Sequence, residues 1–88
     1  MIERAVPIVN SLGLHARPAA EFVKTAGRFK ASVRVRKDEL EVNGKSIMGM
    51  MMLAAECGSR LLVCVEGEDA EAAIEAIAAL VAAGFGEV

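Results

Sequence analysis

Hydrophobic and polar residues recur with two different periods along this chain, and the change of period divides it into strands and helices. Residues 2–9 are rich in β-branched side chains, and residues 32–37 alternate between valine and charged side chains, which is typical of strands. Residues 61–65 are continuously apolar and predict a central strand covered on both faces, while residues 40–42 predict a short return strand. Because Pro7 has no N–H to donate, the first strand is expected at a sheet edge.

Three further segments are predicted as helices: two have apolar positions spaced three to four residues apart, and the segment between them is a run of helix formers that is apolar on all sides. The first follows residue 15 and ends near Gly27, the second begins after Ser46, and the third occupies residues 70–81. The order of elements is therefore βαββαβα, with short connections. This order predicts an α+β fold in which helices pack on one face of an antiparallel or mixed sheet.

Length and composition indicate one small domain, residues 1–88, with an aliphatic core, since 55% of the residues are hydrophobic and 3% are aromatic. A net charge of −2 gives no general attraction to nucleic acid. The chain starts without a signal-peptide pattern, and the apolar run 47–55 is too short to span a bilayer. We therefore expect a cytoplasmic protein without membrane insertion. Cys57 and Cys64 are expected as free thiols, with Cys64 buried in a strand; a disulfide is the alternative.

The candidate chemistry lies in residues 13–18, Gly-Leu-His-Ala-Arg-Pro, which contain the only histidine of the chain. Pro18 suits the first turn of a helix, which places His15 at or just before a helix N-terminus, among unpaired backbone N–H groups. An anion bound there would meet these N–H groups and the guanidinium of Arg17, and the positive field favours a bare ring nitrogen. The residues thus predict a nucleophile with an anion clamp, suited to reversible phosphorylation on nitrogen. The alternative is a histidine that caps the helix or lies on the surface.

Two segments resemble those of a known family. Residues 13–19, Gly-Leu-His-Ala-Arg-Pro-Ala, followed by Phe22 and Val23, resemble the active-site motif of HPr, the histidine-containing phosphocarrier family of the bacterial phosphoenolpyruvate-dependent phosphotransferase system. Residues 43–51, Asn-Gly-Lys-Ser-Ile-Met-Gly-Met-Met, resemble that family's second helix and its regulatory serine. The resemblance covers essentially the whole chain. It implies an open-faced β-sandwich, with a four-stranded antiparallel sheet of order 1-4-2-3 and three helices on one face.

The resemblance implies a non-enzymatic phosphocarrier that uses no cofactor and no metal. Nδ1 of His15 would accept a phosphoryl group, originating in phosphoenolpyruvate, from phosphorylated enzyme I and pass it to an enzyme IIA-type protein. Arg17 and the backbone N–H groups of Ala16 and Arg17 would hold the group. Ser46 would be phosphorylated by a dedicated kinase, whereas from the residues alone it is a helix N-cap. We expect the chain to be a monomer.

The resemblance also places a docking surface for protein partners on the second helix, where pliable methionine side chains suit several partners. Met50 and Leu53 would turn inward. The residues expected to contact partners are Leu14, Arg17, Lys24, Lys45, Ile47, Met48 and Met51.

Some positions differ from those of many sugar-transport carriers. Leu12 stands where many of them have a small polar residue, and the methionine-rich second helix and the Gly84-Phe85 ending resemble the nitrogen-related branch. A role in sugar uptake and a purely regulatory, nitrogen-related role therefore both stay open. Two alternatives belong to other classes: a ligand-binding regulatory α+β domain with His15 unmodified, and a small phosphatase. The phosphatase is disfavoured because no second acid or base lies nearby in the sequence.

Overall fold

A computed structural model describes residues 1–87 as four strands and three α-helices with a short 3₁₀-helix at the end. The elements are β1 Ile2–Pro7, α1 Ala16–Ala26, β2 Ser32–Lys37, β3 Leu40–Asn43, α2 Ile47–Met52, β4 Arg60–Glu66, α3 Ala70–Ala82 and the 3₁₀-helix Gly84–Gly86. The predicted βαββαβα order is confirmed.

The four strands form one antiparallel sheet in the order β1-β4-β2-β3. β1 is an edge strand, in which Ile2 pairs with Val65 and Pro7 with Arg60. This is the position predicted from the missing N–H of proline. Backbone hydrogen bonding continues one residue beyond the strand, because Ile8 bonds to Ser59 and Gly58, both at 2.8 Å.

One face of the sheet is covered and the other is open, and the side chains follow this division. In β2, Val33 and Val35 are buried while Arg34 is exposed. In β4, the buried side chains alternate with Leu62 and Cys64, which are half-buried on the open face. The prediction of a strand covered on both faces was therefore wrong, and so was the burial of Cys64. A run of apolar residues does not distinguish a strand with two covered faces from one whose open face carries medium-sized apolar side chains.

The three helices pack on the covered face of the sheet, giving an α+β open-faced sandwich. Phe22 of α1 is fully buried, and Ile74 and Ile77 supply the buried stripe of α3. These apolar side chains meet the valines of β2 and β4 in a single core. Within residues 1–87, no helix combines the length and the hydropathy required to cross a membrane.

Candidate functional site

His15 is the residue at which α1 begins. Its backbone is extended, with φ −79° and ψ −171°, and its carbonyl accepts the N–H of Ala19 at 3.0 Å. The backbone N–H groups of Ala16 and Arg17 belong to the first turn, which has no intrahelical acceptors for them. Pro18 is buried in the same turn and has no N–H to leave unpaired. The prediction that the imidazole lies beside a helix N-terminus is confirmed.

The loop before His15 is held against the segment that follows α2. Gly13 has φ +70°, and a Cβ at this position would lie 2.5 Å from the carbonyl oxygen of Ala55. That same carbonyl accepts the N–H of Leu14 at 2.8 Å. Glycine is required here for both the backbone conformation and the close approach, so the sequence at residue 13 determines where His15 is held.

The imidazole of His15 is 39% exposed, and its Nε2 lies 3.0 Å from Oε1 of Glu87, whose side chain is 15% exposed. The buried side chain of Asn10 donates through Nδ2 to the same Oε1 at 3.1 Å and to the carbonyl of Gly13 at 2.8 Å. Among residues 1–87, no hydrogen-bond partner reaches Nδ1 of the ring. One ring nitrogen is thus engaged by the C-terminal segment and the other is left available.

The pKa of Glu87 is lowered from its ordinary value of 4.5, mainly by the hydrogen bond with His15. The hydrogen bond from Asn10 and the positive charge of Arg17 lower the pKa further, while partial burial opposes them. Glu87 is therefore a carboxylate at neutral pH, and a carboxylate can only accept hydrogen bonds.

The Arg17 side chain is exposed in the first turn of the helix. No hydrogen bond or ion pair connects its guanidinium to another group in residues 1–87. Its charge nevertheless acts on Glu87. The guanidinium therefore lies in the field of the His15 site and can still bind the oxygens of an anion in a bidentate manner.

Ser46 caps α2 through its side chain. Its Oγ accepts the N–H of Gly49 at 3.0 Å, and its carbonyl accepts the N–H of Met50 at 2.9 Å. The capping interpretation is therefore confirmed by geometry.

The outer side of α2 carries an apolar patch, which we call the α2 patch and which comprises Ile47, Met48, Met51 and Met52, all exposed. Met50 and Leu53 are buried, as predicted. Met52 was not among the predicted contact residues. Exposed apolar side chains grouped in this way are typical of a protein-binding surface.

The other predicted contact residues divide into three groups. Arg17 and Lys24 are exposed. Lys45 is half-buried, and its Nζ donates to the carbonyl of Phe29 at 2.7 Å, so its ammonium is already engaged. The prediction that Leu14 contacts a partner was wrong. Its side chain is 4% exposed and belongs to the core, because the hydrogen bond from its backbone N–H to the carbonyl of Ala55 turns it inward. It is not available to a partner.

Sequence reasoning missed the two side chains that contact the His15 site most closely, Glu87 and Asn10. The contact between His15 and Glu87 spans 72 positions of the chain, and no local pattern predicts it. The one available signal is the pair of glycines, Gly84 and Gly86, that flank Phe85 near the end of the chain. Such spacing indicates a tight turn at the C-terminus of α3.

Comparison with known proteins gives one consistent result. The family model described as the PTS HPr component phosphorylation site matches residues 2–83. The phosphocarrier protein HPr of Neisseria meningitidis serogroup B is 45% identical over 87 residues, which cover 99% of this chain and 98% of the relative.

Two solved structures are similar over nearly their whole length. The crystal structure of HPr-C-His from Thermoanaerobacter tengcongensis has a TM-score of 0.95 and 46% identity, covering 100% of this chain and 99% of that one. The structure of Crh, the Bacillus subtilis catabolite repression protein, has a TM-score of 0.76 and 43% identity, covering 96% and 97%. Crh is described there as a dimer with a swapped domain.

Proposed function

The chain belongs to the HPr family of phosphocarriers in the phosphotransferase system, and from this membership we propose that His15 is its phosphoryl acceptor. The group would come from phosphorylated enzyme I and pass to an enzyme IIA-type protein. The observation that carries this proposal is a partly exposed imidazole at the start of an eleven-residue helix, with Nδ1 unengaged by residues 1–87. Family membership does not favour the ligand-binding alternative.

The N-terminus of α1 supplies the stabilisation that a phosphoryl group requires. The N–H groups of Ala16 and Arg17 and the positive end of the helix dipole meet its oxygens. The Arg17 guanidinium adds a charged, planar donor on the solvent side. Phosphoryl transfer depends mainly on positioning and charge stabilisation, and these groups supply both on the carrier side.

The α2 patch is the surface on which enzyme I and the IIA-type protein dock in this proposal. Its four apolar side chains are exposed, while the fully buried side chain of Met50 anchors the helix in the core. Lys24 and Arg17 lie on the exposed side of α1 and supply positive charge beside it. Methionine-rich surfaces adapt to different partners, which a carrier exchanging between two proteins needs.

Ser46 is the regulatory site in this proposal, and its modification would act through the neighbouring patch. A phosphate on its Oγ would replace the hydroxyl that now accepts from Gly49. It would also bring a charge of about −1.5 to −2 next to Ile47 at the edge of the α2 patch. We expect this charge to weaken docking by desolvation of the phosphate rather than by unfolding of the helix.

A labelling experiment tests the acceptor assignment. The protein is mixed with enzyme I and labelled phosphoenolpyruvate, and we expect acid-labile, base-stable label on the wild type and none on His15→Ala. Label that survives in His15→Ala, or a wild type without label, would contradict the proposal. Phosphate released without a partner would instead favour the phosphatase.

The same labelled protein distinguishes the two branches of the system. It is offered in parallel to a IIA protein for sugar uptake and to a IIA protein of the nitrogen-related branch, and the faster acceptor identifies the role. We propose that the chain acts in the cytoplasm, where both acceptors would be met.

We propose a monomer as the active form, because the described residues form a four-stranded sheet and a single core without a contribution from a second chain. Light scattering after size-exclusion chromatography, with and without enzyme I, tests this. A stable dimer that accepts label as fast as the monomer would contradict it.

A further inference from the structure

Leu12 is an exposed apolar residue in the turn that leads into the His15 site. It is 75% exposed, so most of its surface is in contact with water while the protein is free. Leu12 precedes His15 by three residues, and the Cα atoms of the two residues are therefore at most about 11 Å apart. A large apolar side chain thus lies beside the imidazole, outside the α2 patch.

The turn that carries Leu12 is held by hydrogen bonds on both sides of it. Before Leu12, the carbonyl of the buried Asn10 accepts the N–H of Gly13 at 3.1 Å. After Leu12, the N–H of Leu14 is bonded to the carbonyl of Ala55 at 2.8 Å. Leu12 therefore extends from a fixed backbone, and little conformational freedom is lost when a partner covers its side chain.

The same hydrogen bond brings the turn close to the α2 patch. Ala55 follows Met52, the last residue of the α2 patch, by three residues. Leu12 and the α2 patch are therefore neighbouring parts of one surface. An interface that begins on α2 and reaches His15 extends onto Leu12.

The size of an interface indicates whether a partner that reaches His15 also covers Leu12. A phosphoryl group in transfer must be shielded from water, so His15 lies inside the interface rather than at its rim. Even a transient interface of about 1,200 Å² in total covers a patch about 14 Å in radius on each protein. Leu12 lies within that distance of His15. Its apolar surface is therefore buried both by enzyme I and by a IIA-type protein.

We propose that Leu12 is a specificity-determining residue, which selects enzyme I and IIA-type partners that present an apolar side chain opposite it. This rests on the proposed function and adds the chemistry of the partner surface. An apolar side chain opposite Leu12 is favoured because both surfaces leave water. A polar or charged group there would lose its hydration without gaining a hydrogen bond. Since the donor and the acceptor both reach His15, the two proteins share this apolar contact.

Two substitutions of Leu12 test the contact, and Leu40 supplies the matched control. Leu12→Ser removes the apolar surface, whereas Leu12→Met keeps it. Leu40→Ser makes the same change on β3, which two strands separate from β1 and the turn that follows β1. Initial rates of labelling by enzyme I and labelled phosphoenolpyruvate give KM and kcat for each variant as the substrate. We expect Leu12→Ser to raise KM about tenfold with kcat unchanged, and the other two variants to stay within about twofold of the wild type.

The second transfer step tests the selection of partners. Each labelled variant is offered to a IIA protein for sugar uptake and to a IIA protein of the nitrogen-related branch. We expect Leu12→Ser to slow transfer to the acceptor that the wild type prefers by about tenfold, and transfer to the other by less than about threefold, because specificity is a difference between affinities.

Urea unfolding separates a contact with partners from a structural role. Because Leu12 is exposed, we expect the urea midpoint of Leu12→Ser to equal that of the wild type. A lower midpoint that accompanies the rise in KM would contradict a role in docking, since it would show that the substitution disturbs the fold.

The outcomes for the two proposals are distinct. If the wild type takes up no label, the proposed function is wrong and the role of Leu12 falls with it. If the wild type is labelled but Leu12→Ser has the KM of Leu40→Ser, the role of Leu12 alone is overturned. It is also overturned if Leu12→Met is as impaired as Leu12→Ser, or if Leu12→Ser slows transfer to both IIA proteins equally.

Discussion

Replacement of Gly13 by alanine tests whether a close backbone approach holds the loop that presents His15. A Cβ at residue 13 would lie 2.5 Å from the carbonyl oxygen of Ala55 and 2.9 Å from the Cα of Glu56. Both atoms belong to the backbone. The Ala55 carbonyl also accepts from Leu14, so it cannot move away without straining the hydrogen bond that closes the loop.

The expected change in the free energy of unfolding of Gly13→Ala combines two destabilising effects and one smaller stabilising effect. A left-handed conformation costs an L-residue about 1–2 kcal/mol, and overpacking against fixed atoms costs about 1–3 kcal/mol more. The less flexible unfolded chain returns about 0.4–1 kcal/mol. We expect Gly13→Ala to lower the free energy of unfolding by about 2–4 kcal/mol. Gly58→Ala is the matched control, because Gly58 has φ +94° with open space where the Cβ would be. It should lose about 1 kcal/mol.

Urea unfolding of the wild type, Gly13→Ala and Gly58→Ala measures the change in the free energy of unfolding that each substitution causes. The phosphorylation rate by enzyme I is measured on the same samples, and it should fall for Gly13→Ala and stay unchanged for Gly58→Ala. Equal losses of stability in the two variants would refute the close-approach argument, because both share the left-handed backbone and only one has the steric conflict.

Three further predictions concern α2 and the C-terminal segment. Ser46→Ala removes the cap of α2 and should lower the free energy of unfolding by about 1 kcal/mol, measured in urea; no loss would mean that the cap hydrogen bond does not stabilise the helix. Met50→Ala should lower the free energy of unfolding by about 2–5 kcal/mol, because this side chain is fully buried. Met48→Ala should change the free energy of unfolding by no more than about 0.5 kcal/mol. It should, however, weaken binding to enzyme I by more than about 1 kcal/mol, measured by calorimetry. The reverse pattern would show that the two side chains have been assigned to the wrong faces. Because the pKa of Glu87 is lowered, the stabilisation from its contact with His15 is complete above its ordinary value of 4.5 and is lost as the pH falls through the lower folded value; a carboxyl ¹³C titration midpoint at or above 4.5 would contradict this.

The elements and the position of His15 could be predicted because they depend on local patterns. The alternation in β2, the missing N–H of Pro7 and the proline after the histidine each constrain the backbone within a few residues. The strand order required the family resemblance, since periodicity does not say which strands become neighbours. The sheet order of the structure agrees with it.

The parts that could not be predicted depend on contacts between distant residues. Leu14 faces the core because Ala55 accepts its backbone N–H, and Glu87 reaches His15 because three left-handed residues turn the C-terminal segment. The apolar run 61–65 predicts a buried Cys64, but every second residue of this run faces the open side of the sheet, where Leu62 and Cys64 are half-buried. A binary pattern records hydrophobicity, but it does not record which faces another layer covers.

The pairing of β1 with β4 has a consequence for how the chain folds as it is synthesised. Its register joins Ile2 to Val65, so the first strand made has no neighbour until most of the chain has left the ribosome. Contacts between residues so far apart in the sequence form slowly. Until β4 has been synthesised, the unpaired backbone groups of β1 can pair with another nascent copy of the chain. Crowded polysomes should therefore favour exchange of β1 between chains, and slower translation of residues 8–60 should increase it.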